Sequence, residues 1–340
     1  DPQLIEDVMI GCAMPEGEQG LNVARNISLL AGLPVCTSAA TINRFCGSSL
    51  TTINEAAQAI MCGNGEAFIA GGIESMSHVP MGGFNPSLNE KLMDPQAPAA
   101  YIGMGTTAEN LAKQYNISRE EQDQFAVTSH RKAVSAEQQG KYKSEIVPIE
   151  GTNAKGELFT ASQDEGPRVD TSLEKLAALK TAFDENGTVT AGNSSPLTDG
   201  AAMTLLVSKR LAKKLKLTPL AKIKSMAVAG VDPSTMGIGP AQAVPKALDR
   251  AGLKLKNIDL IELNEAFAAQ SIAVIKELSL DERRVNVNGG AIALGHPLGA
   301  SGARLIATLI AALQDRKVKT GLATMCIGGG QGIATVIERI

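Results

Sequence analysis

The sequence predicts an α/β protein made of two similar halves. Short apolar segments typical of strands alternate with amphipathic segments typical of helices, and the same scheme returns in the carboxyl-terminal third of the chain. A length of 340 residues suffices for two compact units. Glycine accounts for 34 residues and aromatic residues for only 3%, which favours tightly packed α/β units with glycine-rich loops over an aromatic-cored β sandwich.

Each half is predicted to contain a strand, a helix and a second strand, in that order. In the first half these elements cover residues 8–10, 50–61 and 67–70. In the second half they cover residues 258–263, 302–313 and 322–325. Glycines are expected to end the later strand of each half, at Gly71 and Gly72 in the first and at 328–330 in the second.

A single shift of 252 residues superimposes the two stretches and places Gly47 on Gly299. A constant shift indicates an internal duplication of one α/β unit, with chance similarity between generic strand–helix units as the alternative. The second half starts near Thr218 and opens with two elements that have no counterpart in the first half, a strand over 220–228 and a helix over 241–251. The same shift would put the corresponding start 35 residues before Asp1, so we expect the first half to lack 35 amino-terminal residues.

Between the halves lies a region of different character, with proline-rich turns between helices. Ser118 is predicted to cap a helix that reaches Gln139, and Glu121 completes a capping box there. A loop-built insertion over one face of a protein is where substrate contacts tend to lie. The predicted organisation is an amino-terminal half over 1–77 and 197–217, an inserted loop domain over 78–196, and a carboxyl-terminal half over 218–340.

Composition and charge exclude several classes of protein. A net charge of −3 argues against a nucleic-acid binder, and the apolar runs are shorter than the ~20 residues of a membrane-spanning helix. The five cysteines form no C-x-x-C pair, which argues against a zinc or thioredoxin-type site and favours a reducing compartment. Cys12, Cys36 and Cys62 are expected to be buried structural cysteines. The basic stretch 209–216 is interpreted as a solvated helix face.

The strongest local signal is the segment NRFCGSS, which places Cys46 between a predicted strand and a predicted helix. Backbone N–H groups and the dipole at a helix start favour a thiolate and offer donors to a developing oxyanion. Gly47 permits close approach of a substrate. The alternative is a buried structural cysteine.

Among the three histidines (His78, His130 and His296), only His296 lies in a glycine-rich segment just before a helix. The shift of 252 residues places it on Arg44, two positions before Cys46. If the halves pack about a pseudo-twofold axis, the two helix starts meet at one crevice. There His296 would take the proton of Cys46 as a general base, with a structural histidine as the alternative.

Two further strand ends carry candidate residues. Cys326 precedes the carboxyl-terminal glycines, where it would act as an acid/base and the Gly328 N–H as an oxyanion donor, although a glycine turn after a strand is also ordinary packing. The segment matches neither a P-loop nor a dinucleotide-binding motif. Asn264 follows a predicted strand, where it either caps the next helix or fixes a catalytic water.

These blocks resemble those of a thiolase, an acyl-CoA C-acyltransferase, and the resemblance extends from Ile5 to Ile340. The motifs that carry it are, in order, NRFCGSS, GNSSPLTDGAA, NEAFAAQ, GGAIALGHPLGASGAR and CIGGGQG. The resemblance implies a thiolase-like fold, in which duplicated α/β halves form α-β-α-β-α layers and carry an inserted loop domain.

The resemblance also implies a role for each candidate. Cys46 resembles the nucleophile that carries the acyl group as a thioester, and His296 the residue that activates it and lines a first oxyanion hole, whose water Asn264 holds. Cys326 resembles the acid/base that protonates the leaving enolate, while the N–H groups of Cys46 and Gly328 resemble a second oxyanion hole. Residues implied to bind substrate are Met104, Phe183, Ser195, Met236 and Phe267 along the pantetheine or acyl path, and Arg168 near the nucleotide end.

The resemblance favours a degradative member, a 3-ketoacyl-CoA thiolase of fatty-acid β-oxidation. Biosynthetic members carry a histidine before the methionine of the M-G-T-T-A-E-N block, where this chain has Gly103, and the wording FNPSLNEKL resembles degradative members. Acetoacetyl-CoA thiolase is the first alternative. A non-catalytic acyl-CoA or lipid-binding protein of the same fold is the second, and a hydrolase with a Cys–His pair is the third.

The chemistry implied by the resemblance needs no metal and no organic cofactor, because coenzyme A enters as a substrate. The implied partners are acyl-CoA and CoA, further copies in a homodimer or dimer of dimers, and a β-oxidation multienzyme partner; nucleic acid and a membrane span are not expected. The expected compartment is a bacterial cytoplasm, with mitochondrion or peroxisome as alternatives.

Overall fold

A computed structural model describes residues 1–152 and 155–340. The strands in this part of the chain are β1 (Asp7–Gly11), β2 (Ser38–Ile42), β3 (Ala67–Ser75), β4 (Ile149–Thr152), β5 (Leu158–Ala161), β6 (Asp199–Val207), β7 (Ala221–Gly230), β8 (Leu260–Leu263), β9 (Thr320–Ile327) and β10 (Gln331–Arg339). The α-helices are α1 (Val23–Leu30), α2 (Ser48–Met61), α3 (Met104–Gln114), α4 (Arg119–Gln138), α5 (Leu173–Ala177), α6 (Lys209–Lys214), α7 (Gly239–Ala251), α8 (Ala268–Leu278), α9 (Ala291–Leu294) and α10 (Ser301–Asp315).

Two four-stranded sheets form the frame of the molecule. The first has the strand order β2-β1-β3-β6, in which β1 is parallel to β2 and β3, and β6 is antiparallel to β3. The second has the order β7-β10-β9-β8, in which β8 is parallel to β9, and β10 is antiparallel to both β9 and β7. The parallel pair β8 and β9 therefore repeats the pair β1 and β3, as the constant shift predicts, and β10 extends it antiparallel as β6 does in the first sheet.

The two sheets differ at the edge next to their antiparallel strand. Strand β7 pairs with β10, and helix α7 packs on both of them. In the described part of the first sheet, β6 is the last strand. The strand and the helix predicted to open the second half are confirmed as β7 and α7.

Helices α2 and α10 form a central layer between the two sheets. They pack against each other, α2 also against β1 and β3, and α10 against β8 and β9. The largest apolar cluster lies in this layer and combines Leu50 and Ile53 of α2 with Leu305 and Leu309 of α10, all nearly inaccessible to solvent. Helix α1 covers the outer face of the first sheet and α7 that of the second, which gives the predicted α-β-α-β-α order of layers.

The segment between β3 and β6 folds over the second half. Helices α3 and α4 pack on α8, and α4 also contacts α9. The predicted capping box at the start of α4 is confirmed: Ser118 accepts the N–H of Glu121, and the Glu121 carboxylate accepts the N–H of Ser118. The packing brings this segment next to the strand end that precedes α8.

Strand β3 corrects one prediction, because it runs through Gly71 and Gly72 to Ser75 instead of ending there. A Cβ added at Gly71 would lie 2.1 Å from the carbonyl oxygen of Ala202, and one at Gly72 would lie 2.0 Å from that of Gly299. These glycines therefore allow other segments to approach the middle of a strand.

Two of the three cysteines predicted to be buried and structural are exposed. Cys12 is buried at the end of β1, whereas Cys36 and Cys62 are exposed. Cys62 follows α2 as its C-cap, and Cys36 lies in the turn before β2, so both are at element ends that face solvent. The interpretation of the basic stretch as a solvated face is confirmed, because α6 buries Leu211 and Ala212 but exposes its lysines. In the described residues, no helix is both long enough and apolar enough to span a membrane.

Candidate active site

A tight turn between β2 and α2 holds Cys46. Phe45, the residue before it, has a φ of 44°, in the left-handed region that non-glycine residues rarely adopt. The side chains of two neighbours hold this conformation: Asn43 Oδ1 accepts the Phe45 N–H at 2.8 Å, and the Ser48 hydroxyl donates to the Phe45 carbonyl at 2.6 Å. Cys46 is thereby fixed two residues before the start of α2.

Burial dominates the electrostatics of the Cys46 thiol. The residue is 8% exposed, and desolvation raises its pKa to about 11, although the backbone N–H groups of Gly328 and of Cys46 itself act to lower it. The backbone donors act in the direction expected, toward a thiolate, but the cost of desolvating the charge is larger, so the thiol keeps its proton. A base is needed to take the proton.

His296 is a buried, neutral imidazole whose Nε2 is the acceptor nitrogen. The Ser301 hydroxyl donates to the Pro297 carbonyl at 2.8 Å, so its oxygen accepts from Nδ1 of His296 at 2.6 Å. This arrangement assigns the lone pair to Nε2. Burial, followed by the nearby charge of Arg304, lowers the pKa of His296 to about 3.

Asn264 is directed at this histidine. Its Nδ2 lies 3.2 Å from His296 Nε2, and its backbone N–H is bonded to the carbonyl of Thr324. The alternative that Asn264 caps the next helix is wrong, because α8 starts at Ala268 and its N-cap is Phe267. Among residues 1–152 and 155–340, no donor reaches the buried Oδ1 of Asn264, which leaves this oxygen able to accept from a water.

The starts of the two central helices meet, as predicted. The Ser49 N–H donates to the Gly299 carbonyl at 3.1 Å, and the Ser49 hydroxyl oxygen accepts the Ala303 N–H at 3.0 Å. A Cβ at Gly302 would lie 2.4 Å from the backbone nitrogen of Leu50, so the helices approach at backbone distance. The loop of His296 and the turn of Cys46 are therefore joined at one place.

Cys326 and Gly328 reach the same place from the end of β9. Cys326 is fully buried, and burial, followed by the neighbouring Cys46, raises the pKa of its thiol well above the usual value. The backbone N–H of Gly328 lies close enough to Cys46 to act against the raised pKa of its thiol. The two thiols and the Gly328 amide thus share one crevice.

Four of the predicted substrate residues are apolar and pack next to Cys326 or next to one another. Met104, Met236 and Phe267 belong to one apolar cluster with Cys326. The Phe183 ring packs edge-on against Phe267 with 6.0 Å between ring centroids, and it is 51% exposed. Apolar side chains in contact therefore extend from the exposed Phe183 ring to the buried Cys326.

The remaining two predicted substrate residues differ in position. The Ser195 hydroxyl donates to the carbonyl of Ala266 at 3.1 Å, next to Phe267 and hence close to these apolar side chains. Arg168 is exposed and donates its backbone N–H to Nδ1 of His130 at 3.2 Å. This bond joins Arg168 to α4 within the insertion.

Sequence reasoning missed two residues that support the site. Ser301 fixes the tautomer of His296, and Glu74 binds the loop that carries this histidine. The duplication was the available signal, because a shift of 252 residues places Ser49 on Ser301 and Glu74 on Cys326.

Comparison with protein families identifies the fold. Residues 1–210 match the thiolase amino-terminal domain, and residues 217–339 match the thiolase carboxyl-terminal domain. The chain belongs to the thiolase family. Similar curated proteins include the 3-ketoacyl-CoA thiolases of Marinobacter nauticus and Bacillus subtilis, both 54% identical to this thiolase. The alignments cover 100% and 98% of this chain, and 88% and 87% of those proteins.

Solved structures agree with the predicted thiolase-like fold. The human mitochondrial 3-ketoacyl-CoA thiolase superimposes with a TM-score of 0.92 at 41% identity, covering 100% of this thiolase and 89% of that chain. The Bacillus anthracis acetyl-CoA acetyltransferase superimposes with a TM-score of 0.91 at 42% identity, covering 100% and 88%. Both identities are high enough for the likeness to extend beyond general topology.

Proposed function

We propose that this thiolase is a 3-ketoacyl-CoA thiolase, which cleaves 3-ketoacyl-CoA with CoA to yield acetyl-CoA and a shortened acyl-CoA. The observation that carries the proposal is the bonding of three segments that hold a nucleophile, a base and an acid. The turn of Cys46 binds the loop of His296 through Ser49 and Gly299. Asn264, which contacts His296, is bonded to the strand of Cys326. The curated relatives with this name, 54% identical over nearly the whole chain, support the same reaction.

In the first stage, Cys46 gives its proton to Nε2 of His296, and the sulfur attacks the 3-keto carbon of the substrate. The negative charge on the carbonyl oxygen is stabilised by hydrogen-bond donors lining the crevice. Collapse of this adduct breaks the bond between carbons 2 and 3. The acyl group stays on Cys46 as a thioester, and the departing enolate of acetyl-CoA takes the proton of Cys326.

In the second stage, Cys326, now a thiolate, takes the proton of CoA, whose sulfur attacks the thioester. The N–H groups of Cys46 and Gly328 are assigned to the thioester oxygen, because both act on the Cys46 sulfur. Cys46 then leaves and recovers its proton from His296. Each group returns to its starting state, and the two stages balance without a metal or an organic cofactor.

The burial of Cys46 and His296 is consistent with their roles as nucleophile and base. A thiol whose pKa is near 11 and an imidazole whose pKa is near 3 both stay neutral at pH 7 until the substrate arrives. Proton transfer from Cys46 to His296 is then coupled to attack, so charge develops only where donors stabilise it. The apolar cluster with Met104, Met236 and Phe267 excludes water, which would otherwise hydrolyse the thioester.

Turnover of 3-ketoacyl-CoA substrates of increasing chain length with free CoA tests the proposal. We expect acetyl-CoA release from all of them, together with stoichiometric acylation of Cys46 that is lost in Cys46→Ser. Activity confined to the four-carbon substrate would instead identify an acetoacetyl-CoA thiolase, the alternative favoured by the Bacillus anthracis neighbour. Absence of acylation would identify a binding protein, and release of free acid would identify a hydrolase.

We infer that the enzyme is a homodimer or dimer of dimers in a bacterial cytoplasm. The bacterial relatives support the compartment. The assembly is the expectation that comes with membership of the thiolase family. Light scattering of the purified chain measures the assembly, and a monomer would contradict the inference.

A further inference from the structure

Glu74 lies in β3 at the position that the duplication assigns to Cys326 in β9. It is 3% exposed, far more buried than carboxylates usually are. The proposed reaction does not use it as an acid or a base. Its environment nevertheless connects it to both halves of the site.

Both carboxylate oxygens of Glu74 are saturated by donors. Oε2 accepts the N–H of Ala13 and the N–H of Gly299, each at 2.8 Å. Oε1 accepts Nε2 of Gln19 at 2.6 Å and the N–H of Met14 at 3.2 Å. A buried carboxylate with four donors is fixed in one orientation, and in turn it fixes the positions of the segments that carry these donors.

One of these donors leads to the catalytic base. Gly299 lies between His296 and Ser301, the residue that fixes the tautomer of that histidine. The Gly299 carbonyl accepts the N–H of Ser49, so the same peptide segment is bound from both sides. Glu74 therefore fixes the loop that carries His296.

Another donor leads to the nucleophile. Ala13, whose N–H binds Glu74, accepts with its carbonyl from Nδ2 of Asn43 at 2.9 Å. Asn43 in turn accepts the N–H of Phe45, the left-handed residue immediately before Cys46. A continuous series of hydrogen bonds thus joins Glu74 to the turn of the nucleophile.

We propose that Glu74 is a positioning residue that sets the placement of His296 relative to Cys46. The proposal rests on the proposed thiolase function, because its effect is on the transfer between these two groups. Proton transfer and attack require alignment within a fraction of an ångström, and a displacement of ~1 Å can cost ~100-fold in rate. Glu74 touches neither the substrate nor the reacting atoms in this proposal.

Glu74→Gln is the direct test, because glutamine keeps the size but places an NH₂ group where two N–H donors now bind. We expect kcat to fall at least about tenfold, while KM changes less than about threefold, since the apolar residues proposed to contact the substrate are not altered.

Asp123→Asn is the matched control. Asp123 is also a buried carboxylate, which accepts from Asn193 and Arg119 within the insertion. It should lose stability and keep kcat within about twofold.

A double-mutant cycle with Asn43→Ala separates positioning from general destabilisation. Both residues belong to one series of hydrogen bonds, so their effects on kcat should be less than additive, whereas Glu74→Gln and Asp123→Asn should be additive. If Glu74→Gln does not fold, the kcat of Asn43→Ala alone tests the proposal. It must lower kcat at least about threefold with KM unchanged, and a wild-type kcat would overturn the proposal.

The wild-type enzyme in the same assay distinguishes a failure of the proposed thiolase function from a failure of the positioning role of Glu74. No thiolysis by the wild type would refute the proposed function. Wild-type thiolysis with an unchanged kcat in folded Glu74→Gln, or a loss no larger than that of Asp123→Asn at equal melting temperature, would refute the positioning role alone.

Discussion

The side-chain amide nitrogen of Asn264 lies 3.2 Å from Nε2 of His296, and both residues are buried at the carboxyl end of the second sheet. Nδ1 of the same imidazole is bonded to Ser301 on the opposite side. The imidazole is therefore held at both nitrogens, in the tautomer that can accept a proton at Nε2. This arrangement makes Asn264 a partner of the base, not a helix cap.

Asn264→Ala should lower kcat by about 10²–10³-fold, the cost of losing one donor or water position in an oxyanion site. The matched control is Asn54→Ala, because Asn54 is also buried but binds Thr335 in the central layer. That variant should lower the melting temperature and leave kcat within about twofold. Steady-state kinetics with thermal unfolding measures both, and equal kcat losses in the two variants would contradict the assignment.

His296 should make the protein less stable as the pH falls. Its pKa is lowered from 6.5 to about 3 in the folded state, so between these values the unfolded chain binds a proton that the folded chain does not. The free energy of unfolding therefore loses up to about 1.4 kcal/mol per pH unit from this group, from below pH 6.5 to near pH 3. Urea titrations of wild type and His296→Asn over this range measure the difference in slope.

His78→Asn is the control for that measurement. His78 is exposed and pairs with Glu18, which raises its pKa, so its contribution is present at low pH and is lost as the pH rises. Its removal should not flatten the acid-side slope. Identical slopes in wild type and His296→Asn would show that the imidazole is not buried in its neutral form.

Cys46 should resist alkylation at neutral pH, because its pKa is raised to about 11. The iodoacetamide reaction of Cys46 should keep accelerating above pH 9, while the exposed Cys36 and Cys62 are modified first. Mass spectrometry of the peptides, with Cys46→Ser as the assignment control, follows each site. If the rate of Cys46 alkylation levels off near pH 8, the backbone donors at the helix start lower the pKa of the thiol by more than burial raises it.

Elements with a strong periodic pattern could be predicted from the sequence, while contacts between distant segments could not. The pattern of α10 and the glycines after β9 are local properties, and both are found as predicted. Gly71 and Gly72 were interpreted as a strand end, because the sequence does not show that Gly299 approaches there. Glycine signals either a turn or a close approach, and only the tertiary structure distinguishes them.

The same limit applies to the site. Cys46 and His296 stand out because each precedes a helix among glycines, and the duplication predicted that the two helix starts meet. Glu74 was missed because its donors come from residues 13, 14, 19 and 299, which no local pattern connects. The raised pKa of Cys46 could not be predicted, because the burial that outweighs the backbone donors is a property of the folded chain.

Gly103→His should shift the chain-length preference toward short substrates. Gly103 caps α3 with extended backbone angles that any residue can adopt, and a Cβ there would meet only Thr106 within 4 Å. A histidine would therefore be accommodated without strain but would occupy space beside Met104. We expect kcat/KM for long-chain 3-ketoacyl-CoA to fall about tenfold relative to the four-carbon substrate, with Gly103→Ala near wild type. If the ratio of kcat/KM for the long-chain and four-carbon substrates is the same in Gly103→His and Gly103→Ala, Gly103 does not lie beside the acyl chain.

Cys326→Ala should abolish proton exchange at the methyl group of acetyl-CoA. In the reverse direction Cys326 must take that proton, so in D₂O the wild type should incorporate deuterium and the variant should not. The forward kcat should fall by about 10²–10⁴-fold, the usual contribution of a positioned acid or base.

Cys62→Ala is the control, since Cys62 is an exposed cysteine at the C-cap of α2 and has no role in the proposed reaction. Removing the same atoms there should leave both stability and deuterium incorporation intact. Because burial raises the pKa of Cys326, its thiol keeps its proton until an enolate, a much stronger base, is formed beside it. Deuterium incorporation by Cys326→Ala at the wild-type rate would assign the acid/base role to another group.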